Sequence, residues 1–379
     1  MTATITTKRI PLLDLQAQHR PLREELMHAM ARVVDSQHFI MGEEVKQLEK
    51  EIATYTGVAR GIGCASGSDA LYLALLAAGI GHGDEVLTTP FSFFATAGSI
   101  SRVGATPVFV DIQPDTFNLD PVLLAEAVKA HPRVKAIIPV HLFGACADMD
   151  PILEIAAACG AVVIEDGAQS IGAEYKGRKA QSLGDIGCIS FFPSKNLGGF
   201  GDGGMVLTNN QALGDKLASL RVHGTTKKYY HPYLGTNSRL DTLQAAILLV
   251  KLPHLDDWSV GRARNAAKYR QMLGAAGLPI VLPMEASYQT RHVYNQFVIR
   301  CERRDELKAY LQQHGVGTEV YYPLSLHLQP CYANLGYTEG SMPVSERATK
   351  EVLALPVHAD LPDEDIAYIC DLIRSFYSL

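Results

Sequence analysis

Two apolar runs in this 379-residue chain end in residues suited to acid–base or nucleophilic work. The first, A-V-V-I-E-D at 161–166, closes on Asp166 and continues into Gly167, Ala168 and Gln169. The second, C-I-S-F-F at 188–192, runs into Pro193-Ser194-Lys195-Asn196 and then a glycine-dense loop at 198–204. Ligands of open α/β sheets sit at the carboxyl ends of the strands, so Asp166 is placed for chemistry, although a lone acidic strand end is as readily a helix cap. A lysine at the lip of a buried strand loses part of its hydration. That lowers its pKa and makes it a nucleophilic amine able to form a Schiff base with a carbonyl. Taken singly, such a lysine is more often a solvated loop residue.

Two further segments add binding chemistry. A-S-G-S-D-A at 65–70 opens an apolar helical run at 71–78. Small residues there leave the first N–H groups of the helix free for a phosphate, with the Ser68 hydroxyl as an extra donor; the plainer reading is a Ser or Asp N-cap. P-F-S-F-F-A-T at 90–96 either stacks a flat heterocycle or fills core. The literal G-x-G-x-x-G at Gly199, Gly201 and Gly204 fails as a dinucleotide fingerprint, because it precedes a strand-like run instead of opening a helix.

These segments need a scaffold that brings strand ends together. Apolar runs at 85–90, 106–112, 134–140, 161–166, 187–192 and 204–209 alternate with helical patterns, which predicts an α/β fold with a mostly parallel central sheet covered on both faces. Amphipathic helices at 22–34 and 45–55 precede it. A helical tract after Arg239, broken at Pro253 and resuming through 258–273, is expected to bridge to a smaller C-terminal α+β domain. That domain is expected to hold a strand at 293–300, a helix at 303–314, a strand at 316–322 and a last helix at 363–377, with Gly315 as a helix stop. The division falls at residues 1–250, with the N-terminal helices and the large domain, and 251–379.

Composition narrows the classes. Lys+Arg 34 against Asp+Glu 40 gives a formal net charge of -6, the wrong field for a nucleic-acid binder. No run reaches the length of a membrane span, and the polar, Thr-rich start at 1–9 lacks a secretory pattern, so a cytoplasmic protein without a membrane partner is expected. Seven cysteines without a C-x-x-C are expected to be reduced, mostly buried thiols. The histidines show no metal-ligand spacing, so no metal is expected, and no G-x-S-x-G marks a hydrolase.

In combination, the strand-end Asp, the lysine about 30 residues later, the phosphate-cupping helix start and the aromatic loop resemble a pyridoxal-phosphate enzyme of fold type I. More narrowly, the chain resembles the DegT/StrS family of nucleotide-sugar aminotransferases. The motifs are C-A-S-G-S-D-A-L at 64–71, E-D-G-A-Q-S at 165–170, S-F-F-P-S-K-N-L-G at 190–198, G-D-G-G at 201–204 and N-S-R-L-D-T-L-Q-A-A at 237–246. The resemblance implies pyridoxal 5'-phosphate as cofactor, with pyridoxamine phosphate as its intermediate form. Lys195 becomes the Schiff-base lysine and Asp166 the partner of the pyridine nitrogen. Gln169 lies near the ring hydroxyl, Phe93 stacks on the ring, and Ser68, Ser190 and the backbone of Gly67 and Asp69 hold the phosphate. Asn237 reaches the cofactor phosphate of a second copy, which implies a homodimer with shared sites.

The same resemblance implies transfer of an amino group from L-glutamate to a nucleotide-diphosphate keto-sugar. C3 amination is favoured, of a UDP-3-keto-uronate or a dTDP-3-keto-6-deoxyhexose, with C4 amination of an NDP-4-keto-6-deoxyhexose as runner-up. Lys195, where some relatives carry histidine, favours transamination. A non-catalytic regulatory homologue is the rival from another class. Arg239 is the candidate for a sugar carboxylate. Tyr321 and His327 lie in the tract 320–327, which departs from the family's H-Y-P-x-P-L-H at Tyr321 and Ser325, and both are candidates for the sugar end of the site.

Overall fold

The alternation of apolar runs with helices resolves into a doubly covered sheet in the computed structural model, which describes residues 8–378. The start at 1–7 and Leu379 lie outside the described residues. Nine strands belong to the N-terminal part: β1 Arg60–Cys64, β2 Glu85–Thr88, β3 Thr106–Phe109, β4 Val134–Ile138, β5 Val162–Asp166, the short hairpin β6 Glu174–Tyr175 and β7 Arg178–Lys179, β8 Ile186–Ser190 and β9 Gly204–Thr208. Seven of them form one sheet in the order β1-β9-β8-β5-β4-β2-β3. The pairings β8/β5, β5/β4, β4/β2 and β2/β3 are parallel, whereas β9 runs antiparallel to both β1 and β8.

Side chains along β5 show why these strands read as continuous apolar runs. Ile164 packs in the layer that holds the helix Gly67–Ala77, and Val163 packs in the opposite layer with Ile152 and Ala156 of the helix Met149–Cys159. A strand buried on both faces cannot alternate polar with apolar residues. β1 escaped the sequence pattern because two of the five residues of its R-G-I-G-C are glycine. A Cβ at Gly61 would lie 2.7 Å from the Glu49 carbonyl, so the helix Glu43–Thr56 can lie close only over a bare backbone.

The C-terminal part is built on β10 Ile280–Val281, β11 Gln289–Arg291, β12 Phe297–Cys301 and β13 Val352–Leu355. β10, β12 and β13 form an antiparallel sheet, with Phe297 opposite Leu355. Its core is closed by the helices Leu255–Gly274, Arg304–Gln313 and Asp363–Ser378. The first is the expected bridge: its Leu255 lies in the core beneath β8 and β9, while Ala266, Tyr269 and Leu273 lie in the C-terminal core. β11 pairs with β6 and forms a second tie between the two parts.

Three details differ from expectation. The segment 316–322 is not a strand; it makes only isolated bridges, Val316 to Ile10 and Glu319 to Ala354. Ile10 accordingly lies in the C-terminal core, although its position in the chain places it before the first lobe. The strand expected at 293–300 begins only at Phe297, because Tyr294 takes φ 43° and Asn295 turns to bond Asn196. Gly315 does follow its helix, at φ 79°. Five of the seven cysteines are buried, and all seven are free thiols.

Candidate active site

Asp166 is the last residue of β5, and the groups around it are fixed before any ligand arrives. Its neighbour Glu165 is fully buried and accepts from the backbone N–H groups of Gln181, Leu183 and Gly184 at 2.7–2.8 Å. Glu165 also meets His141 Nε2 at 2.7 Å, and His141 Nδ1 accepts from Ala147 N–H, so the imidazole proton sits on Nε2 and points at the carboxylate. A backbone bond from His141 N–H to the Asp166 carbonyl, at 3.0 Å, ties the same residue to the strand end. Asp166 itself is 5% exposed and turns its carboxylate to the cavity beyond the sheet.

Lys195 follows β8 on a loop without regular structure, so its position depends on what grips that loop. Lys195 N–H closes a turn on the Phe192 carbonyl at 2.9 Å. Asn196 bonds the Val293 carbonyl and the Asn295 side chain at 2.9 and 2.7 Å. Further along, Phe200 N–H donates to Gln244 Oε1 at 2.7 Å, and the buried Lys251 ammonium donates to the Gly198 carbonyl. Burial holds the Lys195 pKa down to about 8, against a smaller opposing pull from the Asp166 charge. This is the desolvated amine that its place in the sequence suggested.

The third part is the start of the helix Gly67–Ala77. Ser66 caps it by accepting from Asp69 N–H at 3.1 Å, and Ala70 N–H bonds the Ser66 carbonyl. That engages the Asp69 amide, whose carboxylate pairs with Arg102 at 2.6 Å, and leaves the amides of Gly67 and Ser68 to face the cavity. The Asp69 N–H, expected to hold a phosphate, is taken by this capping bond, and Asp69 is not among the residues lining the cavity. A Cβ on Gly67 would lie 2.6 Å from Ser190 Cβ, so glycine lets the helix start sit directly on the end of β8.

These parts line one cavity of about 470 Å³, within the range of small-molecule sites. Phe93 and Tyr321, both expected from the sequence, stand in its wall with Gln169 and Ser190. Phe93 is 59% exposed, leaving a free aromatic face. Gln169 Oε1 accepts from Phe143 N–H at 2.6 Å and its Nε2 donates to Tyr322 OH at 3.1 Å. Among the described residues in the wall, Lys195 is the one cation and Asp166 and Asp202 are the carboxylates. Sequence reading passed over Tyr322, Ser92, Thr96 and Asp202; the doubled tyrosine at 321–322 and the hydroxyls of 90–96 were the available signals.

Other expected residues lie elsewhere. His327 is 1% exposed, bonded to Glu346 at 3.0 Å and set between the rings of Phe109 and Tyr337, because the turn Leu326–Leu328 points it into the interior. It does not reach the cavity wall. Arg239 is half-buried and also absent from the wall, and Asn237 is exposed, outside the cavity of its own chain.

The donor set fits pyridoxal phosphate. Free helix N–H groups with the hydroxyls of Ser68 and Ser190 offer a phosphate cup, Asp166 a partner for a ring nitrogen, and Lys195 an amine for an aldehyde. The glycine at 67 lets the helix N–H groups and the Ser190 hydroxyl lie side by side, since a Cβ there would meet Ser190 at 2.6 Å.

Comparisons with known proteins agree. The sequence model of the DegT/DnrJ/EryC1/StrS aminotransferase family matches residues 21–374. A Geobacillus stearothermophilus protein named "Pleiotropic regulatory protein" is 52% identical over 97% of this chain and 98% of its own. The Acidithiobacillus ferrooxidans UDP-N-acetyl-3-dehydro-alpha-D-glucosamine 3-aminotransferase is 47% identical over 96% of this chain and 97% of its own. Among solved structures, S. venezuelae DesV superposes with a TM-score of 0.95 at 41% identity, covering 98% of this chain and all of that one.

Proposed function

The chain belongs to the DegT/DnrJ/EryC1/StrS aminotransferase family and is a pyridoxal-phosphate-dependent aminotransferase; from that premise we propose that it moves an amino group from L-glutamate to C3 of a keto-sugar carried on a nucleoside diphosphate. The observation that carries this reading is the convergence of Lys195, Asp166 and the helix start at Gly67 on one cavity. When bound, the cofactor supplies an electron sink for the negative charge left on a substrate carbon that loses its proton.

The chain's own residues do the rest. Asp166 holds a proton on the ring nitrogen, so the ring stays cationic. The Lys195 amine takes the proton from the substrate carbon bearing the nitrogen and returns it to the carbon on the other side of that nitrogen, acting first as base and then as acid. Its lowered pKa, about 8, suits both halves of that task near neutral pH. Gly67, Ser68 and Ser190 bind the phosphate, Phe93 presents a flat apolar face to the ring, and Gln169 lies beside the ring hydroxyl.

C3 is supported by the name of the Acidithiobacillus relative and by the N-S-R-L-D segment at 237–241. Tyr321 lies at the sugar end of the cavity. Arg239 would serve a neighbouring copy's site, because it does not line its own. A cytoplasmic homodimer with shared sites is supported by free thiols, which suit a reducing compartment, and by exposed large side chains in the segment that precedes Asn237, among them Tyr229, Tyr230 and Leu234, the last 96% exposed.

The test is to convert the protein to its pyridoxamine form and offer UDP- and dTDP-linked 3-keto and 4-keto sugars, following the visible absorbance of the bound cofactor. The 3-keto sugars are expected to restore it; restoration by 4-keto sugars alone would assign the chemistry to C4. A regulatory role without catalysis, suggested by the name of the Geobacillus relative, predicts no turnover with any of them.

A further inference from the structure

Asp166 reaches the cavity already engaged. Its Oδ2 accepts from Thr96 Oγ1 at 2.7 Å and its Oδ1 from Ala168 N–H at 3.2 Å. Thr96 is 0% exposed, in the first turn of the helix Ala95–Arg102, and among the described residues it is the side chain that donates to Asp166. An ionised carboxylate only accepts, so the proton in that contact belongs to the threonine. A hydroxyl has one proton to give. The 2.9 Å contact between Thr96 Oγ1 and Ser92 Oγ is therefore made by the serine's proton, and the relay runs one way, Ser92 to Thr96 to Asp166. Ser92 is 4% exposed and lines the cavity. The relay thus begins beside the ligand space and ends on the carboxylate.

We propose that Thr96, backed by Ser92, is a positioning residue that keeps Asp166 a charged, oriented acceptor, so that a proton shared with the cofactor's ring nitrogen stays on the ring. The proposal rests on the reading of Asp166 as partner of that nitrogen. Hydrogen bonds donated to a carboxylate favour its charged form and make it a weaker base. Without the Thr96 hydroxyl, the carboxylate loses its side-chain donor, the shared proton moves towards it, and the ring loses the positive charge that draws electrons from the substrate carbon. The ionisable groups around Asp166 are Lys195, Tyr322 and Asp202 in the cavity wall, Cys188 on the paired strand, and the neighbouring Glu165 with its partner His141, and none of their side chains donates a hydrogen bond to it. Ala168 N–H alone then holds the carboxylate, and only by one oxygen.

The test uses holoenzyme loaded with cofactor carrying 15N at the ring nitrogen, whose NMR shift reports whether that nitrogen bears a proton. In the wild type the nitrogen is expected to be protonated. Thr96→Val, which keeps the branched shape and loses the hydroxyl, should shift it towards the unprotonated value and lower kcat about tenfold, the worth of one charge-assisted hydrogen bond. The KM for glutamate should change by less than about twofold. Thr96→Ser should restore both, and Ser92→Ala should move both in the same direction by less. Where Thr96→Val does not fold, the Ser92→Ala shift decides. An unprotonated nitrogen in the wild type would overturn the reading of Asp166 and this proposal together. A protonated wild type with an unchanged shift and kcat in the variants would overturn this proposal alone.

Discussion

In the proposed reaction Lys195 acts both as a cation and as a free amine, and burial brings the two states within reach of each other by holding its pKa down to about 8. The same shift has a cost in stability. The unfolded chain holds the Lys195 proton up to about 10.5, the folded chain only to about 8, so between those values the unfolded state binds more protons. Stability from this group therefore rises as pH climbs through that window, and its penalty is fully present below about pH 8. Lys195→Met removes the penalty. In cofactor-free protein we expect the variant to melt higher than the wild type at pH 7 and the gap to close by about pH 10, read by thermal unfolding; a gap independent of pH would show that the lysine carries no such shift. Lys195 and Asp166 were both legible in the sequence because Asp166 ends an apolar run and Lys195 follows one by three residues. Thr96 and Tyr322 were not, since a hydroxyl in an aromatic-rich stretch gains meaning only when the fold places it 2.7 Å from Asp166 or 3.1 Å from Gln169.

At the scale of elements, the site depends on how closely the helix Gly67–Ala77 meets the end of β8. Gly67→Ala should push the helix start away from Ser190, with a stability loss of about 1–3 kcal/mol and weaker binding of the cofactor's phosphate. Removing the obstructing side chain should reverse the loss. In a double-mutant cycle, Gly67→Ala with Ser190→Gly is expected to melt above Gly67→Ala alone, whereas strict additivity would place the clash elsewhere. Strands buried on both faces announced themselves as apolar runs, and helix starts by their small polar residues. What stayed hidden were contacts that depend on glycine, as in β1, and segments such as 316–322, whose alternating pattern suits a strand but whose neighbours offer single bridges only. His327 was misplaced for a related reason: its chain position beside the cavity tyrosines says nothing of Glu346, which draws it inward.

At the scale of the molecule, the cavity wall has one cation among the described residues, while Asn237 and the Tyr229-Tyr230 loop are exposed and Arg239 is half-buried away from the wall. A second copy that supplies Asn237 makes a specific prediction. Lys195→Ala and Asn237→Ala proteins should each be nearly inactive, yet dissociated and mixed in equal amounts they should regain about a quarter of wild-type activity, because half the dimers are hybrids with one intact site of two. Self-contained sites would give no recovery. The most direct test of the whole account supplies L-glutamate labelled with 15N at the amino group and UDP-3-keto-N-acetylglucosamine to the wild type and to Lys195→Ala, and locates the label in the sugar by NMR. We expect 15N at C3 with the wild type and a rate lower by at least about a hundredfold with the variant. No label in the sugar, or equal labelling by both proteins, would contradict it.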